Sequence, residues 1–198
     1  MVSGMRQSGP LAKLAAMWRG GAAPSLRERC EAVLCDLPIP APFDEHAFCA
    51  ALADRRKRPI MLLPLSLRPM TGDGVLYGLA ISKSTSDIII YERDTSRAHR
   101  QQIIIHEACH LILGHRPTPL APPDLPTLPD DMWEGGQMCH VLGRSDHAAE
   151  EEHEAEILAS LILEQVAINA PPDGYDHDRD TTEMLVRLTS FYRMKKGA

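Results

Sequence analysis

Two histidines and a glutamate stand close together in the run His106-Glu107-Ala108-Cys109-His110. Because residues four apart share one face of a helix, His106 and His110 can bind the same metal ion. Glu107 lies one step around the helix, where a carboxylate can act as a base towards water. This HExxH spacing is typical of zinc-dependent peptidases.

Two imidazoles leave a metal site incomplete, since catalytic zinc usually has three protein ligands and one open position. At about 100° per residue, His115 falls about 180° from His106, on the far side of a helix that continues regularly. We therefore do not expect His115 to join the site. The metzincin spacing also fails, because it requires glycine at 113 and histidine at 116, where this chain has Leu113 and Arg116.

A second predicted helix, at about 147–168, carries several carboxylates that could complete the site. The apolar face of this helix is set by Ile157, Leu158, Leu161 and Ile162. Glu154 falls within that face, whereas Glu152 and Glu156 point about 150° or more away from its centre. A carboxylate facing a core is costly unless it is paired or bound to metal. We therefore predict Glu154 as the third ligand, with Glu150, one turn earlier, as the alternative or as a partner of a ligand histidine.

The segments around the motif predict the elements that must position it. Helices are predicted at about 26–35, 44–56, 132–142 and 181–194, and strands at 60–67, 75–82 and 87–91. The motif helix follows the possible N-caps at 94–96, and six prolines between Pro117 and Pro129 predict a loop of unassigned role. This order indicates an α+β fold, in which a small mixed or antiparallel sheet packs on the HExxH helix and on the second ligand-bearing helix. We expect strand 87–91 to lie at a sheet edge, where an extended substrate could pair with it.

Composition excludes several classes of protein. The net charge of −6 over 198 residues argues against wholesale binding of nucleic acid. Five cysteines without CxxC spacing argue against a disulfide scaffold or a zinc ribbon and favour reduced thiols in a cytoplasm. Cys109 borders the ligand face and is expected to be a small buried residue. The chain has no apolar run of membrane-spanning length and no secretory signal pattern.

Peptide hydrolysis by a metal site also needs a side chain that stabilises the negatively charged oxygen, or oxyanion, formed during the reaction. His140 and His147 lie between the two predicted metal-site helices, Tyr77 and Tyr91 lie on predicted strands, and Tyr175 lies in a predicted loop. Each of these side chains can donate a hydrogen bond to a developing negative charge. The sequence does not choose among them.

Two segments of the chain match the motifs of a known family. Residues 106–115 contain the HExxH run and its continuation, and residues 154–163 are similar to an EAxxxAxxLL helix whose leading glutamate is a metal ligand. On these segments the chain resembles the ImmA/IrrE family of metallo-endopeptidases, and residues 58–60 and 91–96 look like those of actinobacterial members. The resemblance covers about 59–168 and carries the third-ligand role over to Glu154. The family commonly has His-Glu-Leu-Gly-His, whereas Ala108-Cys109 stand here.

The resemblance implies a zincin-like fold and a cytoplasmic protease. Such a protease cleaves a helix-turn-helix repressor and so derepresses its genes, often in mobile elements, stress responses or toxin-antitoxin-like pairs. We predict an N-terminal helical extension at 1–58, without a helix-turn-helix signature, and a zincin-like metallopeptidase domain at 59–198. The expected cofactor is Zn²⁺, although two imidazoles and a carboxylate also accept Mn²⁺. Glu107 is the expected catalytic base.

Two other functions compete with proteolysis. A non-proteolytic regulatory module could sequester the same kind of partner, with the metal as a structural staple. A small-molecule metallohydrolase is a third interpretation. Glu107 separates the first of these from an enzyme, because a purely structural site needs no base beside its ligands. The sequence does not identify the substrate, the scissile bond, the activating signal or the oligomeric state.

Overall fold

In a computed structural model, the residues described are 23–67, 77–115, 137–138 and 146–170, and they form four helices and four strands. The helices are α1 (Leu26–Cys35), α2 (Glu45–Arg56), α3 (Arg97–Leu113) and α4 (Asp146–Ile168), and the strands are β1 (Ile60–Leu65), β2 (Gly78–Ser82), β3 (Asp87–Glu92) and β4 (Gln137–Met138). The predicted α+β class is therefore confirmed. The predicted loop at 117–129, most of the predicted helix at 132–142 and the predicted helix at 181–194 lie outside the described residues.

Helix α3, which carries the HExxH run, begins and ends at residues suited to those positions. Its N-cap is Ser96, whose hydroxyl accepts a hydrogen bond from the backbone N–H of His99 at 3.2 Å. Its C-cap is Gly114, which has a left-handed backbone with φ of 69°. Glycine adopts this conformation without the steric cost that a Cβ atom brings, so the helix ends at Leu113.

The sheet is mixed, with strand order β1-β3-β2-β4. Strand β3 pairs in parallel with β1 and antiparallel with β2, and β2 pairs antiparallel with β4. The prediction that 87–91 is an edge strand is therefore wrong. Its run of three isoleucines, 88–90, is buried on both faces, and such continuous apolar runs are typical of central strands.

One hydrophobic core joins the four helices to one face of the sheet. Its buried members include Cys30 and Val33 of α1, Phe48 and Leu52 of α2, Ile89 of β3, Ile104 and Ile105 of α3, and Leu158 and Ile162 of α4. Helices α1 and α2 thus pack in the same hydrophobic core as β3, α3 and α4. The proposed division of the chain at residue 58 stays a prediction. No helix among the described residues has the length and apolar character needed to cross a membrane.

The buried carboxylate of Asp87 forms ion pairs that join the end of α2 to the sheet. Asp87, which is fully buried at the start of β3, receives Arg56 Nε at 2.6 Å and Arg58 Nη2 at 2.7 Å. Arg56 also donates to the backbone carbonyl of Leu111 on α3, and Arg58 donates to that of Lys83 at 3.0 Å. Buried charges persist when they are paired and hydrogen-bonded in this way. Arg56 and Arg58 therefore stabilise the packing of α2 and α3 against the sheet.

Candidate metal centre

Helices α3 and α4 bring two imidazoles and a carboxylate together. His106 and His110 lie one turn apart on α3, and their Nε2 atoms are 3.1 Å apart. From α4, Glu152 places one carboxylate oxygen 3.0 Å from His106 Nε2 and the other 3.6 Å from His110 Nε2. These three residues form a group that could hold a metal ion.

The separations in this group fit the coordination geometry of a small divalent cation. With metal–ligand bonds of about 2.0–2.1 Å, two corners of a tetrahedron lie roughly 3.3–3.4 Å apart. The two Nε2 atoms, 3.1 Å apart, are close to this spacing, and Glu152 meets each of them with a different carboxylate oxygen, at 3.0 and 3.6 Å. The donor set also leaves a fourth corner available, as catalytic sites require.

The electrostatics of the group favour a cation. Burial lowers the pKa of His106, but the hydrogen bond to Glu152 and the negative charges of Glu107, Glu152 and Glu156 raise that pKa by more, so its net shift is upward. The same carboxylates that favour a protonated imidazole would also stabilise a bound metal ion.

Glu154, the predicted third ligand, lies outside this group, and Glu152 lies within it. The Glu154 carboxylate is 3.4 Å from His115 Nε2 and 3.5 Å from Arg29 Nη2 on α1. The hydrogen bond from His115 lowers the pKa of Glu154 against the opposing effect of burial, and the positive charge of Arg29 lowers it further. Glu150, the alternative ligand, is exposed.

The packing of α4 against α3 and α1 explains why Glu152, and not Glu154, lies beside the two histidines. The buried residues of α4 are Ala155, Leu158, Ala159, Leu161, Ile162, Leu163 and Val166. The sequence prediction placed the centre of the apolar face from residues 157–162 alone. On a helical wheel, the centre of the residues that are buried in the structure is rotated roughly 90° from that predicted centre. Glu152 and Glu154 then flank the stripe on opposite sides, Glu152 towards α3 and Glu154 towards α1. The small residues Ala155 and Ala159, one turn apart, are the sequence signal that could have widened the predicted face.

Glu107, the predicted base, adjoins His106 on α3 and is only 3% exposed. Strand β2 approaches it closely at Gly78. A Cβ atom at Gly78 would lie 2.8 Å from Glu107 Oε1 and 2.5 Å from Ile103 Cγ2. Glycine at this position therefore permits the contact that holds the Glu107 carboxylate between the helix and the sheet.

Gly78→Ala is expected to displace Glu107 and lower stability. Overpacking of a filled interior typically costs about 1–3 kcal/mol, and the added methyl group meets both Ile103 and Glu107. We expect a lower Tm in thermal unfolding. A wild-type Tm in this variant would contradict the close approach of β2 to α3.

His115 lies beside the site, contrary to the prediction that placed it on the far side of the helix. The left-handed residue Gly114 turns the chain, and the backbone N–H of His115 donates to the carbonyl of His110 at 3.1 Å. The His115 imidazole is buried, with its Nδ1 atom 2.9 Å from Nδ1 of His110. The prediction assumed a regular helix up to residue 115, and α3 ends at Leu113.

Two other candidate residues that the structure describes, Cys109 and Tyr77, lie outside the group of His106, His110 and Glu152. Cys109 is fully buried, and burial raises the pKa of its thiol well above the usual value, in keeping with a small buried residue. The ring of Tyr77, which is 39% exposed, packs on His99 with ring centroids 4.8 Å apart. His140, Tyr175 and the side chain of His147 lie outside the described residues.

Comparisons of the chain with protein-family models, with curated proteins and with solved structures found no significant match. The resemblance to the ImmA/IrrE family therefore stays a prediction.

Proposed function

We propose that the protein is a metal-dependent endopeptidase with a zincin-like arrangement of the ImmA/IrrE type. The observation that carries this proposal is the convergence of His106, His110 and Glu152 beside the buried carboxylate Glu107. A site that only stabilises a fold needs ligands, whereas this one also has a base next to them. The sheet on one side of α3 and α4 on the other supply the layers that a zincin-like site requires.

In the proposed reaction, His106, His110 and Glu152 would hold Zn²⁺, or Mn²⁺ in its place. When bound, the metal polarises the scissile carbonyl and lowers the pKa of the attacking water towards neutrality. Glu107 accepts the proton of that water and delivers it to the leaving amine. Burial of Glu107 between α3 and Gly78 keeps its carboxylate in one position for both transfers.

The proposed substrate is a helix-turn-helix repressor in the cytoplasm, whose cleavage derepresses its genes. This choice follows from the resemblance of residues 106–115 and 154–163 to the family motifs. The four described cysteines are free, which suits a reducing compartment.

The test is metal-dependent cleavage by the full chain. The protein is loaded with Zn²⁺ or Mn²⁺ and incubated with any helix-turn-helix regulator encoded beside its gene and with a proteome-derived peptide library. Cleavage that stops on chelation and returns on metal addition supports the endopeptidase. Stable binding of the regulator, with one equivalent of metal but no cleavage in either assay, would show a binding module instead.

A further inference from the structure

Behind the proposed ligand His110 lies a chain of polar contacts that ends in a carboxylate. His110 directs its Nε2 atom to His106 and Glu152, and its other ring nitrogen, Nδ1, lies 2.9 Å from Nδ1 of His115. On the far side of His115, Nε2 lies 3.4 Å from Glu154 Oε2. The side chains of His110 and His115 are 0% and 5% exposed, so protein groups replace water along this chain.

We propose that His115 and Glu154, here called the positioning pair, hold the His110 imidazole in the orientation and tautomer that metal binding requires. The inference rests on the proposed metal site and deepens it. His115 and Glu154 are positioning residues, since neither belongs to the group that could bind the metal.

One arrangement of protons satisfies every contact in the chain. A metal ligand at His110 Nε2 must offer a lone pair there, which leaves the ring proton on Nδ1. That N–H donates to Nδ1 of His115, which must then carry its own proton on Nε2. The Nε2–H of His115 in turn faces the acceptor Glu154. The reverse arrangement would put a proton on the metal-facing nitrogen of His110.

Helix α1 holds the outer end of the positioning pair. Arg29 lies 3.5 Å from Glu154 Oε1, and the thiol of Cys30 donates to the backbone carbonyl of Glu154 at 3.7 Å. At the inner end, Gly114 supplies the left-handed turn that brings His115 back towards His110. Residues before 58, predicted as an extension, thereby contribute to the ordering of a metal ligand.

Two substitutions at His115 separate a hydrogen-bonding role from simple packing. His115→Leu fills much of the space without an acceptor, whereas His115→Asn places an amide oxygen near the former Nδ1 position. Loss of a group that orients a metal ligand typically lowers metal affinity about 10–100-fold. We expect that loss for His115→Leu, and recovery of most of the affinity in His115→Asn, measured by zinc competition with a chromophoric chelator.

Co²⁺ absorption provides a second readout that packing alone would not move. We expect the d–d bands of the His115→Leu protein to differ from wild type and those of His115→Asn to resemble wild type. Equal zinc affinities and equal spectra in the two variants, whether both normal or both reduced, would overturn the positioning role.

The wild-type protein offers a test that does not depend on the folding of any variant. Nitrogen-15 NMR of the zinc-bound protein is expected to show His110 coordinated through Nε2 with its proton on Nδ1. Coordination through Nδ1 would overturn the inference. Failure of the positioning pair leaves zinc binding and cleavage by wild type intact, whereas a wild-type protein that binds zinc without cleaving peptides contradicts only the proposed function. A wild-type protein that binds no zinc overturns both.

Discussion

Glu107→Gln is expected to lower kcat by about 10²–10⁴-fold, the usual contribution of a general acid–base residue. Glutamine has nearly the same shape as glutamate, so the close packing of residue 107 against Gly78 is preserved. It cannot accept the proton of the attacking water, so the reaction loses its base. The measurement is kcat of the zinc-loaded variant on the cleaved regulator or peptide.

Zinc content and Tm must be measured on the same preparation. We expect both to stay near wild type, since Glu107 is not in the group that could bind the metal. Glu164→Gln, an exposed glutamate on α4, is the matched control and should retain wild-type kcat. Full cleavage by Glu107→Gln would remove the proposed base and with it the main support for an endopeptidase.

Glu152→Gln and Glu154→Gln are expected to differ strongly in zinc affinity. Glu152 contributes the carboxylate that lies 3.0 Å from His106 Nε2, so its loss leaves two imidazoles as protein ligands. We expect zinc affinity to fall by more than the roughly 10–100-fold that is typical when an outer partner of a ligand is removed. Glutamine at 154 can still accept from His115, so we expect a loss of about tenfold or less there.

Competition titrations with a chromophoric zinc chelator measure both affinities on the same scale. The two variants make the same chemical change two residues apart on α4, so each serves as the control of the other. A large loss in Glu154→Gln with normal binding in Glu152→Gln would favour the ligand set predicted from sequence, His106, His110 and Glu154. It would also contradict the grouping of Glu152 with the two histidines.

Local periodicity explains why part of the site was predictable from sequence. His106, Glu107 and His110 belong to one helix, and the spacing of i and i+4 residues on a helix does not depend on the rest of the chain. The α+β class and the N-cap region of α3 were predictable for a similar reason, because patterns of apolar residues and capping side chains act over a few residues.

The tertiary structure alone decided which groups surround those three residues. Glu152 meets the histidines because α4 packs on both α3 and α1, which turns the helix so that Glu152 and Glu154 flank its buried stripe. His115 returns to the site because Gly114 ends α3, and β3 lies inside the sheet because β1 and β2 both pair with it. Such contacts join residues far apart in the chain, and they depend on the packing of whole elements, which helical spacing does not encode.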